Sequence, residues 1–91
     1  MKISFEFFVA YDVSSNKRRR KLRRIILDYG GEMEQLSLYR LKLKGSKILE
    51  FLNELEAHMG EEDKLVLVFL KGSRKKVLKL GEEDHLSWLG R

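Results

Sequence analysis

The chain has 91 residues, with 19 Lys and Arg against 14 Asp and Glu, two His, and neither Cys nor Pro. At 43% hydrophobic and 36% charged residues it is too apolar to stay disordered and too charged for lipid. The absence of Cys removes disulfides, thiolate metal sites and cysteine nucleophiles together, so any metal must take oxygen or imidazole.

A chain this short buries about 65% of the surface that its unfolded form exposes, so one core is expected, with oligomerisation as a further source of stability. The expectation is a single domain, residues 1–80 forming the core and 81–91 a tail. No apolar run approaches the roughly 20 residues that span a bilayer. The opening Met1 to Glu6 lacks the pattern of a secretory signal. A cytoplasmic location without membrane contact is the corresponding expectation.

Residues 2–11 alternate, with Ile3, Phe5, Phe7, Val9 and Tyr11 on one face and Ser4, Glu6, Phe8 and Ala10 on the other, which predicts a first strand. Asp12 to Asn16 supplies helix-capping chemistry. Leu22, Ile25, Ile26 and Tyr29 then repeat at helical spacing up to Gly30-Gly31, predicting a first helix. Residues 32–44 alternate again and read as one long strand, or as two short strands with a kink near Ser37. Gly45-Ser46 is read as the cap of a second helix, with a stripe of Ile48, Leu49, Leu52, Leu55 and Met59 closed by Gly60. Glu61 to Asp63 reads as a turn, Leu65 to Leu70 as a buried strand, Gly72-Ser73 as a turn and Lys76 to Leu80 as a last short strand.

This order predicts an α+β, ferredoxin-like βαββαβ fold with an additional C-terminal strand and both helices on one face of an antiparallel sheet. In that arrangement Phe5, Phe7 and Tyr11 meet the helices. Phe8 and Ala10 face the other way, as Leu67 and Phe69 or their neighbours would, and a sheet-to-sheet dimer would bury that second face.

The charge is local. Residues 16–24 hold seven cations and no acid, leaving 12 cations against 14 acids in the rest of the chain. A smaller basic patch follows at Lys71 to Lys76. Patches of this kind are footprints for phosphate. On a helical wheel of about 100° per residue, Lys17, Arg20, Lys21, Arg23 and Arg24 fall on the solvent side. Arg18 falls on the apolar arc one turn before the core begins, which is expected to set its guanidinium over the sheet edge near Asp12, as an ion-pair partner or a phosphate clamp. Arg19 flanks the stripe.

Asp12 ends the first strand directly before the first helix, where a sheet presents its carboxyl edge. Two readings stand beside each other: a helix-capping carboxylate, or a ligand for magnesium, which accepts one or two carboxylates plus waters. One Asp per chain is a poor site, whereas two related by a dimer axis make a better one.

Phe8-Val9-Ala10-Tyr11-Asp12-Val13, then Lys17-Arg18-Arg19-Arg20-Lys21-Leu22, then Asp28-Tyr29-Gly30 resembles the opening of the second universal CRISPR-associated protein family, the "Cas two" adaptation nucleases. Gln35-Leu36-Ser37-Leu38-Tyr39 is similar to that family's Gln-x-Ser-hydrophobic-aromatic stretch, so the likeness covers about the first 43 residues. The resemblance implies a ferredoxin-like homodimer with Asp12 of each chain facing its mate across a magnesium ion (Mg2+). It implies metal-dependent phosphodiester cleavage of RNA or DNA in some members, with Asp12 as catalytic and metal-binding residue. It also implies a bridge between integrase subunits in CRISPR adaptation, with duplex DNA or single-stranded RNA as the nucleic-acid partner. Lys17, Arg18, Arg19, Arg20, Arg24, Arg74 and Lys75 are the residues expected to bind phosphates. One departure stands out: family members place a Glu after the aromatic of the second stretch, whereas this chain has Arg40, which bears on cleavage rather than on binding.

Two other functions remain beside this one: a non-catalytic nucleic-acid-binding scaffold with Asp12 only as a cap, and a toxin-type RNA interferase on the same fold. His58 and His85 fall on separate elements and suit a two-histidine ribonuclease poorly. No Gly-rich phosphate loop or nucleophile elbow occurs. The tail Glu82 to Leu89, with Trp88, reads as packing onto the chain's own sheet edge or as a docking segment.

Overall fold

The computed structural model describes residues 3–71 and 74–80, with side chains described for residues 3–70. The elements run β1 (Ser4–Asp12), α1 (Asn16–Asp28), β2 (Glu32–Gln35), β3 (Leu38–Lys44), α2 (Gly45–Glu56), β4 (Lys64–Lys71) and β5 (Arg74–Leu80). The expected turn at Gly72-Ser73 and the tail, with His85 and Trp88, lie outside the described residues.

Five strands form one antiparallel sheet in the order β2-β3-β1-β4-β5. Both ladders of β1 are in regular register, from Ser4 opposite Lys44 to Ala10 opposite Leu38 on one side, and from Glu6 opposite Leu70 to Asp12 opposite Lys64 on the other. The first four strands have the ferredoxin-like order, and β5 extends the sheet beyond β4.

Because directly opposed residues share a face, Phe7, Val9 and Tyr11 line up with Leu41 and Tyr39 on one side and with Phe69, Leu67 and Leu65 on the other. These meet Leu22, Ile25 and Ile26 of α1 and Phe51 and Leu55 of α2 in a single core cluster, so both helices cover one face. Leu67 and Phe69 thus point into this core. Their neighbours Val66 and Val68 share the other face with Ala10 and Phe8.

The stretch 32–44 is two strands rather than one. Ser37 adopts a left-handed backbone conformation at φ 68°, the register shifts between Met33 and Gln35, and the chain turns without glycine or proline. The Tyr11 amide donates to the Ser37 carbonyl at 3.2 Å, which ties this turn to the end of β1.

The second helix departs from its expected ends. Lys44 is its N-cap residue, without a side-chain capping bond, and Gly45 is already helical, its amide donating to the Ile3 carbonyl at 2.9 Å. The helix closes at Glu56 rather than running to Gly60. Its buried stripe is Phe51 and Leu55 flanked by Ile48, Leu52 and Met59, whereas Leu49 is 66% exposed. Leu49 stands about 100° around the helix from Ile48, outside an arc that Phe51 completes from the other side.

Candidate nucleic-acid interface

The first turn of α1 is built by Ser15. Its Oγ accepts from the Arg18 amide at 3.2 Å, and its carbonyl accepts from the Arg19 amide at 2.9 Å. Capping is therefore Ser15's task, and the reading of Asp12 as the helix cap falls away. Asp12 is the exposed last residue of β1, on the helix-free face by strand alternation, with Lys64 opposite it in the ladder. The short segment from Val13 to Ser15 carries the chain from that strand end into the basic helix.

Arg18 pairs with Asp63 rather than with Asp12. Its Nε donates to Asp63 Oδ2 at 2.7 Å and its Nη2 to Asp63 Oδ1 at 3.2 Å, a two-pronged pair across to the segment between α2 and β4. Asp63 directly precedes Lys64, the residue opposite Asp12, so the guanidinium is held at that end of the sheet, with Asp63 as its carboxylate partner. Asp63 is 1% exposed, and its Oδ2 also accepts from the Gly60 amide at 2.7 Å. Burial pushes the Asp63 carboxyl up, but the Arg18 bonds, the Gly60 amide and the Arg18 charge outweigh it and hold the group below its ordinary range. The same hydrogen bond raises the Arg18 guanidinium. A Cβ at Gly60 would lie 2.9 Å from Arg18 Cζ, so the guanidinium could keep its present position only beside a glycine.

Arg19 is the arginine that reaches toward the strand end. Its Nη1 donates to the Val13 carbonyl at 2.6 Å and its Nη2 to Asn16 Oδ1, partners that leave its charge uncompensated. Lys17, Arg20, Lys21, Arg23 and Arg24 form no ion pair with an acid among the described residues. Of the seven cations, then, only Arg18 is neutralised by a carboxylate among the described residues.

These cations line two depressions. A groove of about 680 Å³ runs beside α1 and is bordered by Lys17, Arg20, Lys21, Arg24 and His58. A cleft of about 530 Å³ lies between α1 and the β2–β3 turn and includes Asp12, Arg19, Arg20 and Arg23 in its wall. The structure thus brings Lys17, Arg19, Arg20 and Arg24 into one cationic surface that reaches Asp12.

Arg74 and Lys75 are not part of that surface within one chain. They begin β5 opposite Lys71 and Leu70, whereas Asp12 is level with Lys64. Seven residue steps of strand separate Arg74 from the level of Asp12 and six separate Lys75, about 20–23 Å.

Arg40 is also remote from Asp12. It is opposite Phe8, four residues down β1, or about 13 Å along the strand. There it lies over the Phe8 ring at 5.5 Å and pairs with Glu34 at 3.2 Å and Glu6 at 3.7 Å. An acid at this position would not reach Asp12 of its own chain.

Asp63 is a contributor that the sequence shows only as part of a turn, while Arg23 reads there as one of the solvent-side cations and His58 enters only as half of a two-histidine ribonuclease pair. Asp63 ends a run of three acids, and nothing in the run distinguishes the one that turns inward. Arg23 and His58 belong to different faces of their segments until the helices and the β2–β3 turn are packed together.

Among the described residues no group of three or more His, Cys, Asp or Glu comes together, and no helix is long and apolar enough to cross a membrane. No curated protein matches the chain. The fold is similar to the crystal structure of a hypothetical protein, TT1823, from Thermus thermophilus, with a TM-score of 0.72 and 25% identity over 77% of this chain and 85% of that one. The family described as CRISPR associated protein Cas2 matches residues 6–79. A match over that much of the chain, on the same ferredoxin-like frame with Asp12 and the basic helix inside it, places the protein in the Cas2 family of CRISPR-associated proteins.

Proposed function

We propose that the protein acts as a homodimer that binds nucleic acid through α1 and bridges integrase subunits in CRISPR adaptation, with paired Asp12 carboxylates holding Mg2+ for phosphodiester cleavage. The observation that carries the binding role is the uncompensated charge of α1. Six cations without an acidic partner among the described residues repel one another, and phosphates relieve that repulsion while releasing counterions. Contacts of this kind position a nucleic-acid backbone without reading bases, which suits a protein that handles fragments of any sequence.

The dimer reading rests on the helix-free face. Phe8, Leu38, Val68 and Leu70 are partly exposed there and form an apolar strip beside the more deeply buried Ala10 and Val66. A second copy laid on this strip would shield it from water and bring the exposed Asp12, which shares the face, toward its counterpart.

Among the described residues Asp12 belongs to no group of three or more metal-binding side chains, and Lys64 is opposite it, so a second Asp12 is what would complete a Mg2+ site. When bound, the ion lowers the pKa of a coordinated water and neutralises charge on the scissile phosphate. Arg19, anchored to the Val13 carbonyl, is placed to orient that phosphate.

The test pairs cleavage with binding. Single-stranded RNA and duplex DNA are incubated with magnesium or chelator, using the native chain and Asp12→Asn, and duplex binding is measured in parallel. Loss of magnesium-dependent cleavage with binding intact supports the whole reading. Binding with no cleavage by the native chain reduces it to a scaffold, and absence of binding refutes it.

A further inference from the structure

The cleft beside Asp12 is more than an extension of the basic surface, because its two walls differ in chemistry. One wall is cationic, from Arg19, Arg20 and Arg23. The other is apolar and comes from β2 and the β2–β3 turn, where Met33 is 54% exposed and Leu36 83% exposed. The floor is polar, since Tyr11 and Tyr39 are buried with their rings stacked at 6.1 Å, and the Tyr11 hydroxyl interacts with Tyr39 and Ser37. Asp12 supplies an acceptor at one end.

An anion alone would use only the arginine wall. An apolar ligand would use only Met33 and Leu36 and leave the guanidinium groups in water. A duplex presents phosphates and keeps its bases stacked inside, so it has nothing to set against an apolar wall. The ligand that satisfies all three surfaces carries a phosphate, a flat apolar ring and polar ring edges. At about 530 Å³ the cleft falls within the roughly 300–1,000 Å³ of small-molecule sites.

We propose that the cleft between α1 and the β2–β3 turn holds one unstacked nucleotide, its phosphate against Arg20 and Arg23 and its base against Met33 and Leu36. The inference deepens the nucleic-acid-binding reading of the same surface and rests on it. A splayed base held between apolar side chains is a general way in which proteins take a base out of a stack. The β2–β3 turn is suited to form such a wall because it is held in place: Ser37 is fixed in its left-handed conformation, and its carbonyl takes the Tyr11 amide. Asp12 belongs to the rim of the same cleft. The same ligand chemistry is found in a free nucleoside monophosphate and in an unpaired nucleotide at a strand end.

The test uses the full chain, labelled for NMR, titrated with AMP and with inorganic phosphate. A short blunt duplex and the same duplex carrying one unpaired terminal nucleotide are compared by affinity. The variant is Met33→Ser with Leu36→Ser, two exposed positions whose replacement leaves the core untouched. AMP is expected to bind about tenfold tighter than phosphate and to shift the Leu36 and Ser37 amides, with the double variant losing that preference and keeping blunt-duplex affinity. A gain from the unpaired nucleotide without AMP binding supports the cleft as a strand-end site, and AMP binding without such a gain supports it as a free-nucleotide site. Equal binding of AMP and phosphate, with no gain from the unpaired nucleotide while the blunt duplex still binds, overturns the nucleotide cleft alone. Failure of the blunt duplex to bind overturns the nucleic-acid reading and the cleft with it.

Discussion

Arg18 and Asp63 join the start of α1 to the segment between α2 and β4, and their unequal burial makes a directional prediction. Asp63 is 1% exposed, whereas the Arg18 side chain is 38% exposed and can turn to water. Arg18→Met therefore leaves a buried carboxylate with the Gly60 amide as its remaining described donor, a loss of about 3 kcal/mol, the low end for breaking a buried pair because one partner is partly solvated. Asp63→Asn costs less, about 1.5–2 kcal/mol. One amide oxygen can still accept from Gly60 and Arg18 Nε, and only the bond from Arg18 Nη2 meets a donor instead of an acceptor. Urea unfolding at neutral pH and one fixed protein concentration measures both.

Acid supplies a second check on the same pair. The native carboxyl is held below its ordinary value, so its contribution to stability is complete above the unfolded value of about 4 and is lost as pH falls through the lower folded value. In Arg18→Met burial dominates and the folded value rises above about 4, so the deficit shrinks on acidification and the two stability curves converge. An Asp63→Asn variant less stable than Arg18→Met, or curves that stay parallel into acid, would refute this account of the pair.

Gly60→Ala should act through the same lock, because its Cβ would lie 2.9 Å from Arg18 Cζ; a loss of about 1–3 kcal/mol in the native chain and little in an Arg18→Met background is expected from double-mutant unfolding. Arg20→Ala with Arg24→Ala should weaken duplex binding and reduce the slope of log affinity against log salt by about 2, read by titration at several ionic strengths; an unchanged slope would remove these residues from the phosphate surface. Phe8→Glu, on the helix-free face, should shift the assembly toward monomer in sedimentation while the far-ultraviolet spectrum is kept, since Phe8 lies outside the core cluster. Leu22→Ala, at a fully buried position of α1, should cost about 2–5 kcal/mol by unfolding and leave the cationic surface in place for whatever remains folded.

The sequence by itself determined the helices, the strand faces and the position of Asp12, with 32–44 left open between one strand and two, because these depend on period and on neighbours along the chain. Two-residue alternation assigned Phe7, Val9 and Tyr11 to one face and Phe8 and Ala10 to the other. Helical spacing chose Leu22, Ile25 and Ile26, and a run of seven cations without an acid needed no fold to be seen. The tertiary structure alone decided which groups meet. Arg18 was directed to Asp12 by its place on the helical wheel, but the wheel carries no information about α2, and the packed helices brought it to Asp63, a residue 45 positions away. Ser15 took the capping role because backbone geometry, rather than residue preference, chose among the candidates from Asp12 to Asn16. The split at Ser37 needed the pull of β1 on the turn, through the Tyr11 amide, to stabilise a left-handed conformation that local preference disfavours. The cleft between arginines and Leu36 exists only once a helix and a turn from different parts of the chain lie side by side, a juxtaposition that no one-dimensional pattern encodes.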